Sequence, residues 1–155
     1  MLETTKVTVR DIMVRRVRSV GPGDRVFQVT KMLTRYGHSG APVVDEDNRL
    51  VGIISEADCI RAFLNAVHHN RPPSRVEDVM TTEVVTVSED MGILAVAELL
   101  LRKKLRRVPV LREGRVVGLV ARRDVLERAL EIFESSGNRE QAILYLSALG
   151  RSSPV

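Results

Sequence analysis

The chain contains itself twice. VRDIMVRRVRSVGPGD (9–24) lies over VEDVMTTEVVTVSEDM (76–91), with Met13 and Met80 standing 67 residues apart. At the same offset Pro42 falls on Pro109 and Val43 on Val110. One residue is then lost between DEDNR and REGR, after which Gly52 meets Gly118 and Asp58 meets Asp124 at an offset of 66. A repeat of this length with a single gap means one supersecondary unit used twice, and it narrows the possible folds more than composition does.

Each copy runs through the same order of patterns. A short β-branched piece comes first, VRSV in one copy and VVTV in the other, which predicts a strand. A turn follows, GPGD or SED, where Ser88 is placed to cap the next helix. Val26, Val29, Met32 and Leu33 then recur at helical spacing, as do Ile93, Val96, Ala97 and Leu100. Gly37 is a suitable residue to end the first of these helices. Two apolar runs around a polar turn, APVV-DEDN-RLVGII and VPVL-REG-RVVGLV, predict hairpins. A second helix closes each copy, from about Glu56 and from about Arg122. The unit is β-α-β-β-α, twice.

A lone unit of about 55 residues buries too little surface to be secure. Two copies packed sheet against sheet bury both apolar faces, so the expectation is an α/β (α+β) module with internal pseudo-two-fold symmetry. Its parts are an N-terminal extension (1–8), a first repeat (9–67), a linker (68–75), a second repeat (76–134) and a C-terminal extension (135–155). His68 and His69, neighbours in the Pro-flanked linker, read as solvated. In the extension, REQAILYLSAL predicts a short amphipathic helix carrying Ile143, Leu144, Leu146 and Leu149. That helix packs on its own chain or meets a partner, and RSSPV is expected to fray.

Several classes fall away. No apolar window is long enough to span a membrane, and MLETTKVTVRD has no apolar signal region, which points to the cytoplasm. Cys59 is the only cysteine, so no intramolecular disulfide or multi-Cys metal site exists, and its apolar context predicts a buried residue. The net charge is +4, with twenty arginines against four lysines. Arginine suits bidentate contact with phosphate or carboxylate, but these are scattered through both halves. Aromatics are 3 %, too few for base stacking, which argues against nucleic acid. No catalytic Ser/His/Asp or Cys/His pattern, P-loop or metal-ligand spacing appears, so no enzyme is expected.

DIM and DVM opening the copies, SGAPVVDEDNRLVGIISEAD, and RRVPVLREGRVVGLVARRD resemble the CBS domain family in its tandem arrangement, the Bateman module. The resemblance covers residues 9 to about 130. It implies a stand-alone regulatory protein that senses AMP, ADP, ATP or S-adenosylmethionine, needs no cofactor, forms a homodimer and signals to a protein target. The alternative is a dimerisation or interaction module with vestigial clefts.

Ser55 and Asp58 lie where a strand ends and a helix begins, a corner at which unpaired N–H groups favour phosphate. The hydroxyl suits an anionic oxygen, and the carboxylate suits two sugar hydroxyls. The same Ser-x-x-Asp spacing also fits a capping box, and both roles stay open. The resemblance implies two clefts shared between copies. The first combines Ser55 and Asp58 with Arg106, Arg107, Val84, Val85 and Thr86, the arginines facing phosphate. The second combines Asp124 with His38, Ser39 and Gly40, and has Ala121 where the first has a hydroxyl. Arg122 and Arg123 either compensate there or form a solvated helix face. The first cleft is therefore expected to bind more tightly.

Overall fold

The computed structural model describes residues 7–135 together with 140, 141, 143, 144 and 147. Two compact units result: Arg18–Val85 with Glu113–Val116, and Met1–Val17 with Thr86–Arg112 and Val117–Val155. Each holds one copy's helix pair, with the opening segment of the other copy.

In the first unit, helix α2 (Val26–Tyr36) leads into the hairpin β1 (Gly40–Val44) and β2 (Leu50–Ser55), followed by α3 (Glu56–His68) and the one-turn α4 (Val76–Val79). One-turn helix α1 (Val9–Ile12) belongs to the second unit. Helix α2 ends at Gly37 as expected, with φ 64 and the His38 N–H donating to Leu33 O at 2.9 Å. The hairpin pairs Gly40 with Ser55 and Pro42 with Ile53. In β2 Gly52 and Ile54 are buried and Ile53 between them is not, whereas Ala41, Pro42 and Val43 of β1 are all buried. Val26, Val29 and Leu33 of α2, Ala41, Val43 and Ile54 of the hairpin, Cys59 and Ala62 of α3, and Val76 of α4 form an aliphatic core. Cys59 is buried, and that burial pushes its thiol pKa up.

The leading strand of the first copy is a correction to the sequence expectation. Only Val20 pairs, in a single parallel bridge to Val43. Gly21-Pro22 turns the chain away immediately after Val20, where the second copy has Ser88-Glu89, and the Gly21 N–H is taken by Asp24 Oδ2 at 2.8 Å. The second copy keeps a two-residue strand, β3 (Val87–Ser88), parallel to β4. Ser88 does not cap the next helix. It lies in β3, its Oγ accepting from the Asp90 N–H, and Gly92 is the N-cap.

In the second unit, α5 (Ile93–Arg102) follows β3, then β4 (Arg107–Arg112), β5 (Arg115–Ala121) and α6 (Arg122–Ser135). The sheet order is β3-β4-β5. Val7 and Ile93 are buried together, with Ile12, Leu94, Val125 and Ile132 packed around them. Ile143 and Leu144 are helical and exposed in the chain, while Leu146 and Leu149 lie outside the described residues.

A buried acid ties α1 into this unit. Glu89 is 7 % exposed; Arg112 grips it through Nε and Nη2 at 2.6 and 2.7 Å, and Arg10 reaches it at 3.2 Å. Hydrogen bonds from Arg112, then Arg10, hold its carboxyl at about 2 against an ordinary 4.5. A lowered carboxylate pKa stabilises the fold above the ordinary value, and that stability drains away as pH falls from about 4.5 toward 2. Acid titration of Glu89→Gln is expected to show a flatter loss of stability across that window than wild type. Parallel curves would remove the acid from this role.

Candidate ligand-binding site

The two strand-to-helix corners share a plan and differ in their hydrogen bonds. At the first, Ser55 is the N-cap of α3 in extended conformation. The Asp58 N–H donates to Ser55 Oγ at 3.2 Å, while Ser55 N–H and Oγ donate to Asp58 Oδ2 at 2.8 and 2.9 Å. Arg61 Nη2 donates to Oδ1 at 2.6 Å. The capping box is thus fully formed, Asp58 is 4 % exposed, and both its oxygens are engaged. Arg61 was not singled out from the sequence, although the i,i+3 spacing from Asp58 was its signal.

Ser39 and Gly40 join this corner. The Glu56 N–H donates to Ser39 O at 2.9 Å, and Gly40 faces Ser55 across the hairpin. A Cβ on Gly40 would stand 2.8 Å from Ile54 O, so only glycine fits there. His38 closes the end of α2 and its ring lies 6.2 Å from Tyr36. Val84 and Val85 are half-buried in the same unit.

At the second corner Ala121 supplies no hydroxyl. Its N–H donates to Asp124 Oδ2 at 2.7 Å, the one donor that carboxylate has among the described residues. Burial pushes the Asp124 pKa up, opposed by the Ala121 hydrogen bond and by attraction from Arg107 and Arg123, and reinforced by Glu127. Arg106 O accepts from the Arg122 N–H at 2.9 Å. Arg107 Nε is buried and has no hydrogen-bond partner among the described residues. Within the units, then, Ser39 and Gly40 stand with Ser55 and Asp58, and Arg106 and Arg107 stand with Ala121 and Asp124. Thr86, half-buried, belongs with the latter group's unit.

The two cations of the second corner have separate jobs. Arg122 caps α5: its Nε donates to Leu105 O at 2.7 Å and Nη2 to Leu100 O at 3.3 Å. Helix α5 ends at Arg102 without a glycine, Lys104 just beyond it taking φ 55, and Arg122 adds a donor to Leu100 O in the last turn and one to Leu105 O past it, at a helix end where cations are favoured. Arg123 pairs with Glu127 at 3.0 Å on an exposed face. Among the described residues, no group of three or more His, Cys, Asp or Glu is placed to hold a metal. No described helix is long and apolar enough to cross a membrane.

A duplicated unit with a Ser/Ala-x-x-Asp corner, a Pro-bearing strand and a hairpin in each copy defines a tandem-repeat α/β module. The model of the CBS domain family matches residues 9–65 and 76–131, and the chain belongs to that family. The crystal structure of CBSX2, from Arabidopsis thaliana, in complex with AMP is similar at 30 % identity and a TM-score of 0.72, over 81 % of this chain and 98 % of that one. The CBS domain pair of protein MJ0100 in complex with 5′-methylthioadenosine and S-adenosyl-L-methionine is similar at 28 % identity and a TM-score of 0.66, over 79 % and 95 %. Inosine-5′-monophosphate dehydrogenase of Methanocaldococcus jannaschii is 33 % identical over 119 residues, 76 % of this chain but only 23 % of that enzyme's length.

Proposed function

We propose that this chain is a regulatory CBS pair that binds an adenine nucleotide or S-adenosylmethionine, carries out no catalysis, and reports ligand state to a protein target in the cytoplasm. The observation that carries this is its likeness to CBSX2 in complex with AMP, across nearly the whole of that chain. The corner chemistry supports it: a helix N-terminus, a hydroxyl, the buried Asp58 and the half-buried Asp124 suit phosphate and sugar. Regulation then follows if ligand binds one conformer better than another.

Calorimetric titration with AMP, ADP, ATP and S-adenosylmethionine tests it, on wild type, Ser55→Ala and Arg107→Ala. At least one ligand is expected to bind, with roughly a ten- to hundredfold loss in Arg107→Ala, since a charge-assisted contact is worth about 1.5–3 kcal/mol. No binding by any of the four ligands ends the nucleotide reading. Unchanged affinity in both variants ends the residue assignment alone. Arg106, Val84, Val85 and Thr86 for the first site, and His38, Ser39 and Gly40 for the second, are the next positions to substitute.

A second reading, dimerisation as the main task, is favoured by one observation. Ile60, Leu64 and Val67 on α3 are exposed, and so are Leu126, Leu130 and Phe133 on α6, at the same three positions of the repeat. Each set forms an apolar stripe at helical spacing. Such matched stripes suit a homodimer. In sedimentation, Leu64→Glu with Leu130→Glu is expected to give a monomer from a wild-type dimer; a wild-type monomer sinks this reading.

A further inference from the structure

Arg18, in the first unit, is held by an aromatic ring and by no acceptor. Its guanidinium carbon lies 3.4 Å over the centroid of Tyr36, and among the described residues no carboxylate, carbonyl or hydroxyl accepts from it. Tyr36 closes α2 and is 41 % exposed. Stacking fixes the plane of a guanidinium and leaves its N–H edge open, the arrangement that grips an oxyanion through two parallel hydrogen bonds. Around the same ring stand the Arg35 guanidinium, 5.6 Å from its centroid, and the His38 ring at 6.2 Å. Arg35 has a local reason for its place, since the last turn of a helix favours cations. Arg18 lies outside any helix and has no such reason.

The topology brings this stack to the ligand end of the sheet. Val20 bridges Val43 in parallel, so the residues before Val20 run toward the start of β1. Gly40, which starts β1, pairs with Ser55, which ends β2 and caps α3. Tyr36 ends α2 three residues before Ser39, whose carbonyl accepts from the Glu56 N–H at the start of α3. Of the two carboxylates in the first turn of α3, Asp58 is already paired with Arg61. That leaves the exposed Glu56 against the guanidiniums of Arg18 and Arg35. The second copy has nothing equivalent: Val85, Lys103 and Leu105 stand where the first has Arg18, Tyr36 and His38.

We propose that Arg18, braced on Tyr36, reads the phosphate of the bound ligand. The chain then takes AMP or a longer adenine nucleotide in preference to uncharged adenosine or S-adenosylmethionine, whose sulfonium two guanidiniums repel. The proposal rests on the nucleotide reading above and narrows its ligand class.

Calorimetric titration with adenosine, AMP, ATP and S-adenosylmethionine tests it, on wild type and on variants at two exposed positions that leave the core intact. Wild type is expected to bind AMP at least roughly tenfold more tightly than adenosine or S-adenosylmethionine. Arg18→Ala should lose roughly ten- to hundredfold for AMP, with adenosine unchanged within about twofold. Tyr36→Leu should lose roughly two- to fivefold for AMP, while Tyr36→Phe, which keeps the ring, behaves as wild type. Four results overturn the proposal and leave the nucleotide reading in place: AMP bound no more tightly than adenosine or S-adenosylmethionine, an Arg18→Ala loss shared by adenosine, an AMP affinity that Arg18→Ala does not move, or matched behaviour of the two Tyr36 variants. Absence of binding by all four ligands defeats that reading and this one together.

Discussion

Asp58→Asn is expected to lower folding stability at neutral pH by about 1–3 kcal/mol, and Asp124→Asn to raise it. The two aspartates occupy the same position of the repeat, yet their surroundings oppose each other. Asp58 accepts from the Ser55 N–H, the Ser55 hydroxyl and Arg61, using both oxygens. An amide keeps one acceptor oxygen, so either the cap or the Arg61 contact is lost at a nearly inaccessible site. Among the described residues Asp124 accepts from the Ala121 N–H alone, which an amide oxygen still satisfies. Burial raises the Asp124 pKa, so ionising it disfavours the fold, and this penalty grows as pH rises above the ordinary value of 3.8. Removing the charge therefore helps at neutral pH and does nothing in acid. Urea denaturation at both conditions reads this directly; equal losses in the two variants would show that the corners are energetically alike. A carboxylate kept at a cost to stability is a candidate for function. If Asp124 holds a ligand's sugar, Asp124→Asn loses affinity while gaining stability, and unchanged affinity removes it from the site.

The repeat, both hairpins, the Gly37 stop and the closing helices were legible because each has a local signal: period, turn residues or a left-handed glycine. The Ser55–Asp58 spacing was equally legible, but it fits capping and ligand contact alike, and only coordinates show all its acceptors engaged. Residues whose role depends on distant chain were not legible. Arg122 is read locally as part of a helix face, but its donors close the end of α5, seventeen and twenty-two residues back. Glu89 looked like a turn residue until Arg112 and Arg10 were placed around it. The missing first strand differs: VRSV has strand composition, but the Gly21-Pro22 turn directly after it leaves one paired residue, Val20.

Gly52→Ala and Gly118→Ala are each expected to cost about 1–3 kcal/mol, and together roughly twice that, because each unit carries its own copy of the same close contact. Neither glycine has a left-handed backbone, so the need is for space. A Cβ on Gly52 would lie 2.7 Å from Met80 Sδ and 2.9 Å from Thr81 O; on Gly118, 2.8 Å from Met13 Sδ and 3.0 Å from Val14 O. A thioether can swing aside, but the carbonyls cannot. Thr81 exchanges two hydrogen bonds with Ile53 at 2.9 Å, and Val14 exchanges two with Leu119 at 2.8 and 2.9 Å. Met13 opens the first copy and seats on the hairpin of the second; Met80 opens the second and seats on the first. The DIM/DVM signature and the Val-Gly signature are thus two halves of one contact, which is why both recur. Met80→Ala should relieve only part of the Gly52→Ala penalty, since the Thr81 carbonyl stays in place, giving a coupling energy of about 0.5–1 kcal/mol in a double-mutant cycle. Chemical denaturation of the four proteins measures it. Full rescue by Met80→Ala would mean that the side chain alone, and not the backbone approach, demands glycine; single variants within about 0.5 kcal/mol of wild type would mean that neither does.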